Sequence, residues 1–218
     1  MSSKNKYKLE RHPLWMLHKE VNMKIICLVS PMGAGKDTIL KEVIKEYNIN
    51  PLISYTDRPI RNGETNGVEY NFVTEEEIYR MMRNGEFIET RVYNTEFGEW
   101  VYGLAKNSID LYSKDNYIVI LDFKGLISLR EYLVNADKED CLTSIYISCN
   151  PQERLRRALF REGDLDSKKC LEICRRFIDD YSKVEIAEKH CDVVVKNETK
   201  DDLKNIIIKI GDVLYGEE

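Results

Sequence analysis

Apolar positions fall into two patterns along the chain: short unbroken runs, and longer stretches at helical spacing. The first run, IICLV at 25–29, leads into a Gly-rich turn. The following TILKEVIKEY carries Ile39, Leu40, Val43 and Ile44 at the spacing of one helix face, predicting a helix from about Lys36. Later runs are PLISYT, YIVILDF, LTSIYIS and CDVVVKN, the last followed by a terminal helix over DDLKNIIIKIGDVL. Near-continuous apolar strands alternating with helices predict an α/β fold with a parallel sheet covered on both faces. Residues 54–106 break the rhythm with turn signals (RNGETNG), strand-like pieces and one helix, TEEEIYRMMRNG, with Thr74 and Glu77 as an expected capping box. That stretch reads as a mixed insert, and residues 154–180, helical and dense in Arg and Lys, as a second one.

Composition narrows the class. A chain of 218 residues with 43% apolar and 33% charged positions is long enough for one domain with a core, and its composition is that of a soluble globular protein. Its net charge of -5 gives no basic footprint for nucleic acid, so an anionic ligand must meet a local Arg and Lys cluster. The six cysteines form no zinc-ligand spacing and read as free thiols of a reducing, cytoplasmic compartment. No apolar run approaches the roughly 20 residues that cross a bilayer. Residues 1–23 read as an N-terminal extension, or as a partner-binding arm built on Trp15 and Leu17.

The turn itself, SPMGAGKDT at 30–38, nearly spells the phosphate loop G-x-x-x-x-G-K-[ST]. Its chemistry lies in backbone N–H groups at a helix N-terminus, where the dipole favours anions. Gly33 and Gly35 permit close approach, and Lys36 supplies charge to the outer phosphates. Ser30 replaces the first Gly, and Asp37 replaces the hydroxyl residue. A carboxylate at Asp37 can ligate Mg²⁺ or, without metal, repel phosphate; Thr38 offers a hydroxyl one position on. Met32, Gly33, Ala34, Gly35, Lys36, Asp37 and Thr38 are the expected ATP-binding segment, and Asp37 and Thr38 the expected Mg²⁺ ligands.

Downstream, SYTDRPIRNGETNGVEYNF at 54–72 sets Arg58 and Arg61 before a Gly-rich turn and Tyr70 after it. Arginine forks bind phosphate bidentately, although a solvated hairpin would carry the same residues. Taken in order, SPMGAGKDT, this stretch, NGEFIE, YG, LD and the Arg-rich segment resemble guanylate kinase. The resemblance runs from about Lys24 to the C-terminus. It implies a three-layer P-loop kinase fold over 24–218: a parallel core (24–53, 107–153 and 181–218), a mixed α/β GMP-binding insert (54–106) and a helical lid (154–180). It implies the reaction ATP + GMP → ADP + GDP with Mg²⁺, in purine nucleotide metabolism. By matching position, Arg58, Arg61, Tyr70 and Tyr102 would hold the GMP phosphate, and Ser54 and Glu89 would read guanine. Gly103 and Asp122 would support that side. Arg157, Arg161 and Arg176 would reach the transferring phosphoryl group, joining Lys36 and Arg58 as catalytic.

The chain also departs from the family pattern. Leu104 stands where a small hydroxyl residue helps to read the base, NTEFGEWVYG is longer than expected, and LDFKGL lacks a second acid and a Gln-Gly. These departures touch guanine specificity more than kinase chemistry. Two further readings therefore stand beside the first: a related kinase acting on another phosphorylated ribose compound, and a non-catalytic guanylate-kinase-like module that binds a protein.

Overall fold

In the computed structural model, residues 23–61, 63–163 and 165–216 are described; the expected arm at Trp15 and Leu17 lies outside them. Five parallel strands form the central sheet. In chain order they are β1 (Ile25–Val29), β2 (Asn50–Pro51), β7 (Tyr117–Leu121), β8 (Leu142–Ser148) and β9 (Val193–Lys196), arranged β2-β7-β1-β8-β9. All five residues of β1 are buried, because strand alternation sends successive side chains to opposite faces and both faces are covered. Ile25, Cys27 and Val29 join one cluster with Leu126, Leu129 and Leu133 of α3 (Phe123–Val134) and Ala187 of α6 (Val184–His190). Ile26 and Leu28 join the other, with Ile39 and Val43 of α1 (Lys36–Glu46) and Ile206, Ile210 and Leu214 of α7 (Lys200–Tyr215). Each such buried aliphatic side chain contributes about 2 kcal/mol, so the paired clusters hold the three layers together. Met23, the last residue of the expected extension, also packs in the first cluster.

A second, four-stranded sheet runs β4-β3-β6-β5, with β3 (Tyr55–Thr56), β4 (Asn71–Phe72), β5 (Phe87–Thr95) and β6 (Gly98–Ala105). Its strands β5 and β6 are antiparallel, and α2 (Glu75–Arg83) precedes them. The run PLISYT does not form one strand. Pro51 ends β2 in the central sheet, and Tyr55 and Thr56 pair in the second. The α2 capping box is also corrected: Thr74 caps the Glu77 N–H, but the Glu77 carboxylate turns to Arg80 at 2.8 and 3.0 Å. The two-way box forms instead at Thr199 and Asp202, opening α7.

Helices α4 (Pro151–Glu162) and α5 (Ser167–Tyr181) start at side-chain caps, Asn150 and Asp166. The loops after β1, β7, β8 and β9 all open at the carboxyl end of the parallel sheet, where α/β folds bind ligands. Among the described residues, no helix is long and apolar enough to cross a membrane.

Candidate active site

The loop after β1 is fixed by its glycines and by what crowds them. Gly33 and Gly35 have φ of +79° and +94°. A Cβ on Gly33 would strike the Arg154 carbonyl, and one on Gly35 the Asn197 side chain. Asn197 in turn donates its amide to the Ala34 carbonyl at 2.8 Å. Helix α1 begins with no side-chain cap, leaving its first N–H groups free for an anion favoured by the dipole. Lys36 stands in that first turn, its Nζ 4.0 Å from Asp37 Oδ2. Asp37 and Thr38 are exposed there. Two hard oxygens beside an open phosphate cradle suit Mg²⁺, which keeps several waters and takes few protein ligands. Ser30 at the strand exit donates to the Pro31 carbonyl at 3.2 Å and leaves the loop geometry intact.

Helices α4 and α5 close over this loop. Arg154, only 2% exposed, donates Nε to the Met32 carbonyl at 2.9 Å and lies 4.9 Å over the Phe177 ring. Burial pushes its pKa down, against the pull of Asp180. Asp180 accepts the Met32 N–H at 2.5 Å. Arg157 is tied to Glu153 at 2.8 Å and to the carbonyls of Asn197 and Glu198, both at 3.1 Å, beside Gly35. Arg161 is exposed and pairs with Glu162 at 3.3 Å, whereas Arg176 is half-buried on α5.

In the second sheet, Arg58 is 3% exposed and sits in an aromatic corner, 5.4 Å from the Tyr70 centroid and 5.3 Å from that of Phe72. Glu64 takes its fork at 2.9 and 2.8 Å, and its Nε donates to the Tyr102 hydroxyl at 3.1 Å. Burial works against the Arg58 charge, but Glu64 outweighs it and the pKa stands raised. Thr56 Oγ1 accepts the Arg58 N–H at 3.2 Å and donates to the Val101 carbonyl, which fixes this corner from the backbone. Burial, with Tyr102 and Asp37 adding to it, pushes the Tyr70 hydroxyl up to about 12, so it remains a neutral donor. The Tyr70, Tyr102 and Tyr93 rings follow one another edge-on, each centroid 5.5 Å from the next.

That row leads to a second cluster. A bulge between Phe87 and Glu89 re-aims β5. From there, alternation places Glu89, Arg91 and Tyr93 on the inner face, with Thr90, Val92 and Asn94 exposed on the other. Arg91 grips Glu89 through Nε at 2.8 Å and Nη2 at 3.0 Å. Its Nη1 is 3.6 Å from Asp122 Oδ1. Asp122 accepts the Gly125 N–H at 2.8 Å, capping α3, and the Tyr93 hydroxyl at 2.7 Å. Glu89 is 5% exposed, and burial raises its pKa despite the opposing Arg91 charge.

A protein-family model described as "Guanylate kinase" matches residues 22–215. The chain belongs to the guanylate kinase family. A Helicobacter pylori guanylate kinase is 32% identical over 203 residues, covering 91% of this chain and 90% of that protein. One from Malacoplasma penetrans is 32% identical over 205 residues, 92% and 96% of the two chains. The crystal structure of guanylate kinase from Anaplasma phagocytophilum superposes with a TM-score of 0.64 at 24% identity, over 88% of this chain and 85% of that one, and shares the fold.

Within this guanylate kinase-family chain, most residues expected from sequence fall into three groups, with Arg176 apart on α5. Met32 to Thr38 and Arg157 gather at the phosphate loop. Arg58, Tyr70 and Tyr102 form the aromatic corner, and Glu89 and Asp122 the cluster beyond it. Ser54 is buried next to β3, its carbonyl accepting the Asn71 N–H at 2.9 Å. Gly103 is where the Phe87 ring crosses the strand, leaving no room for a Cβ. Arg61 and Arg161 reach solvent rather than these clusters. Sequence reasoning passed over Arg91, Tyr93, Arg154, Asp180 and Asn197. Counting by twos from Glu89 would have found the first pair. Nothing local marks Asp180 or Asn197, which meet the loop only through the fold.

Proposed function

We propose that this chain transfers the terminal phosphoryl group of ATP to GMP, giving ADP and GDP. The observation carrying this reading is the row from Arg58 through Tyr70, Tyr102 and Tyr93 to the cluster of Asp122, Arg91 and the buried Glu89 carboxylate, with Asp37 at the open N-terminus of α1 near enough to raise the Tyr70 pKa. It has a phosphate-binding end and a base-binding end. Residues 54–106 act as the GMP-binding insert and 154–180 as the lid, over a core of the remaining described chain. The loop N–H groups from Met32 to Thr38 and Lys36 hold the ATP phosphates. Arg58, Tyr70 and Tyr102 hold the GMP phosphate, releasing part of the Glu64 grip on Arg58, and Arg61 turns in from solvent to join them when it binds. Ser54, Glu89, Gly103 and Asp122 form the base side. Glu89 accepts from the guanine N1–H and 2-amino group together, a donor pair that adenine lacks.

A GMP phosphate oxygen attacks the γ-phosphorus of ATP, and the bond from that phosphorus to the β–γ bridging oxygen breaks. A phosphate with a second pKa of about 6 is already largely dianionic at neutral pH, so no general base is required. Catalysis is then positioning and charge stabilisation, by Lys36, Arg58 and Arg157, with Arg161 and Arg176 brought in from α4 and α5 as the lid closes. Asp37 and Thr38 would hold Mg²⁺, which neutralises developing phosphate charge when bound. Lid closure excludes water that would hydrolyse ATP. The free thiols fit a reducing cytoplasm as the working compartment.

An ADP-release assay with Mg-ATP against GMP, dGMP, AMP, CMP and UMP tests the reading. Preference for GMP over AMP by about 10⁴ in kcat/KM is expected where an unpaired buried carboxylate rejects the wrong base. Equal turnover of all monophosphates, or ATP binding with none, would overturn it.

A further inference from the structure

Reading guanine needs a donor for its 6-oxo group as well as acceptors for N1–H and the 2-amino group. Leu104 holds the position expected to help with the base, yet it is fully buried in the apolar cluster with Leu121 and Leu126. It offers neither a polar atom nor access. Directly across the ladder from Leu104 is Glu89, and two residues along the same face is Arg91, opposite Tyr102.

Resting on the guanylate kinase reading above, we propose that Arg91 is a specificity-determining residue that donates to the guanine 6-oxo group while Glu89 accepts from N1–H and the 2-amino group. A guanidinium carries five N–H donors, and Glu89 takes one from Nε and one from Nη2. The Asp122 oxygen nearest Nη1 stands at 3.6 Å, outside hydrogen-bond range. Donors therefore remain on a side chain that is only 13% exposed, beyond those that Glu89 and the neighbouring Tyr93 hydroxyl draw on. Capture of N1–H and the 2-amino group needs the two convergent Glu89 lone pairs that the Arg91 fork holds, and the Leu104 backbone N–H also favours that carboxylate. Guanine binding therefore turns Arg91 off Glu89 and frees its donors for O6. The Glu89 contacts hold the Arg91 head beside the carboxylate before substrate arrives, so the fork needs only a short turn to meet O6. Guanine O6 is a favoured acceptor for arginine forks, and O6 neighbours N1–H on the base edge, as Arg91 neighbours Glu89. Adenine presents an amine at that position and would meet the Arg91 donors with donors.

The test compares kcat/KM for GMP, 6-thio-GMP and IMP in the wild type, Arg91→Met and Arg91→Gln, with melting curves to confirm folding. Sulfur at position 6 is a poor acceptor, whereas IMP keeps the 6-oxo group and lacks only the 2-amino group. The wild type should prefer GMP over 6-thio-GMP by about 10- to 100-fold, the loss expected for a hydrogen bond from a charged donor. In Arg91→Met that ratio should collapse toward one through loss of GMP turnover, while the GMP-to-IMP ratio holds. Arg91→Gln, which retains a neutral donor, should recover part of the preference. If Arg91→Met instead shrinks the GMP-to-IMP ratio and spares the sulfur effect, Arg91 only orients Glu89 and the proposal fails. A wild type indifferent to sulfur overturns it without any variant. Absence of wild-type GMP turnover would instead sink the guanylate kinase reading itself.

Discussion

Arg154 and Met32 join α4 to the phosphate loop: the arginine Nε donates to the loop carbonyl at 2.9 Å, and Asp180 accepts the N–H of the same residue. The loop is thus gripped on both polar atoms of one peptide residue by two helices of the expected lid. Arg154→Met keeps the bulk over Phe177 but strands the Met32 carbonyl and frees Asp180. A buried acceptor left unpaired costs about 1–3 kcal/mol, or roughly 3–10 °C in Tm for a chain of this size. Thermal melting should show that fall, and the KM for ATP should rise. An unchanged Tm would mean that the contact contributes nothing to stability.

Lys36 has a different role, since among the described residues its ammonium forms an ion pair with Asp37 alone, at 4.0 Å. Removing it should leave folding intact and remove charge from the transferring phosphoryl group. Lys36→Ala should lower kcat by roughly 10³ or more, with Tm within a degree or two of wild type. Turnover near the wild-type rate would remove the loop from catalysis.

Glu89 predicts an acid limb in the pH profile. Its folded pKa is raised, chiefly by burial, so it takes up a proton at a higher pH than an ordinary glutamic acid. Protonated, it no longer accepts two N–H groups. The kcat/KM for GMP should therefore fall with acidification at a pH above the ordinary glutamate range, since that parameter reports free-enzyme pKa values. A carboxyl that binds its proton more tightly when folded stabilises the fold as pH falls through that raised pKa. The acid loss is then not unfolding, and Tm across the same window should not fall on this group's account. Glu89→Gln should abolish the limb along with most GMP selectivity. A limb that persists in this variant belongs to another group.

Much of this was legible because it rests on period and local chemistry. IICLV, YIVILDF and LTSIYIS are buried on both faces, and their strand character survives any tertiary context. The Gly33 and Gly35 turn is legible because only glycine tolerates both the positive φ and the crowding by Arg154 and Asn197. PLISYT misled because an unbroken apolar run does not say which sheet it joins; Pro51 and Tyr55 belong to different ones. The Thr74 capping box failed because Arg80, one turn on, outcompetes a backbone N–H for the Glu77 carboxylate. Arg91 was hidden because a strand arginine ordinarily faces water, and only the bulge and the Asp122 cap bring three charges onto one inner face.

The long NTEFGEW segment carries the last prediction. It is the tip of the β5–β6 hairpin, and it touches α5. The Glu96 N–H donates to Glu172 at 3.2 Å, and Lys168 lies 4.9 Å from the Phe97 centroid, with Phe97 stacked on Trp100. Arg175 holds Glu172 in place through two contacts of 2.8 Å. The extra hairpin length therefore spans the cleft between insert and lid. Phe97 is 44% exposed, so its ring contacts add only about 0.5 kcal/mol to stability. Their consequence is local: Phe97→Ala with Glu172→Gln should speed amide hydrogen exchange at residues 94–99 several-fold with little change in Tm. Because the hairpin carries Arg91 and Tyr93, the KM for GMP should rise several-fold while that for ATP holds. Unaltered exchange at the tip would show that the hairpin is held by the β5–β6 ladder alone, and that α5 does not clasp it.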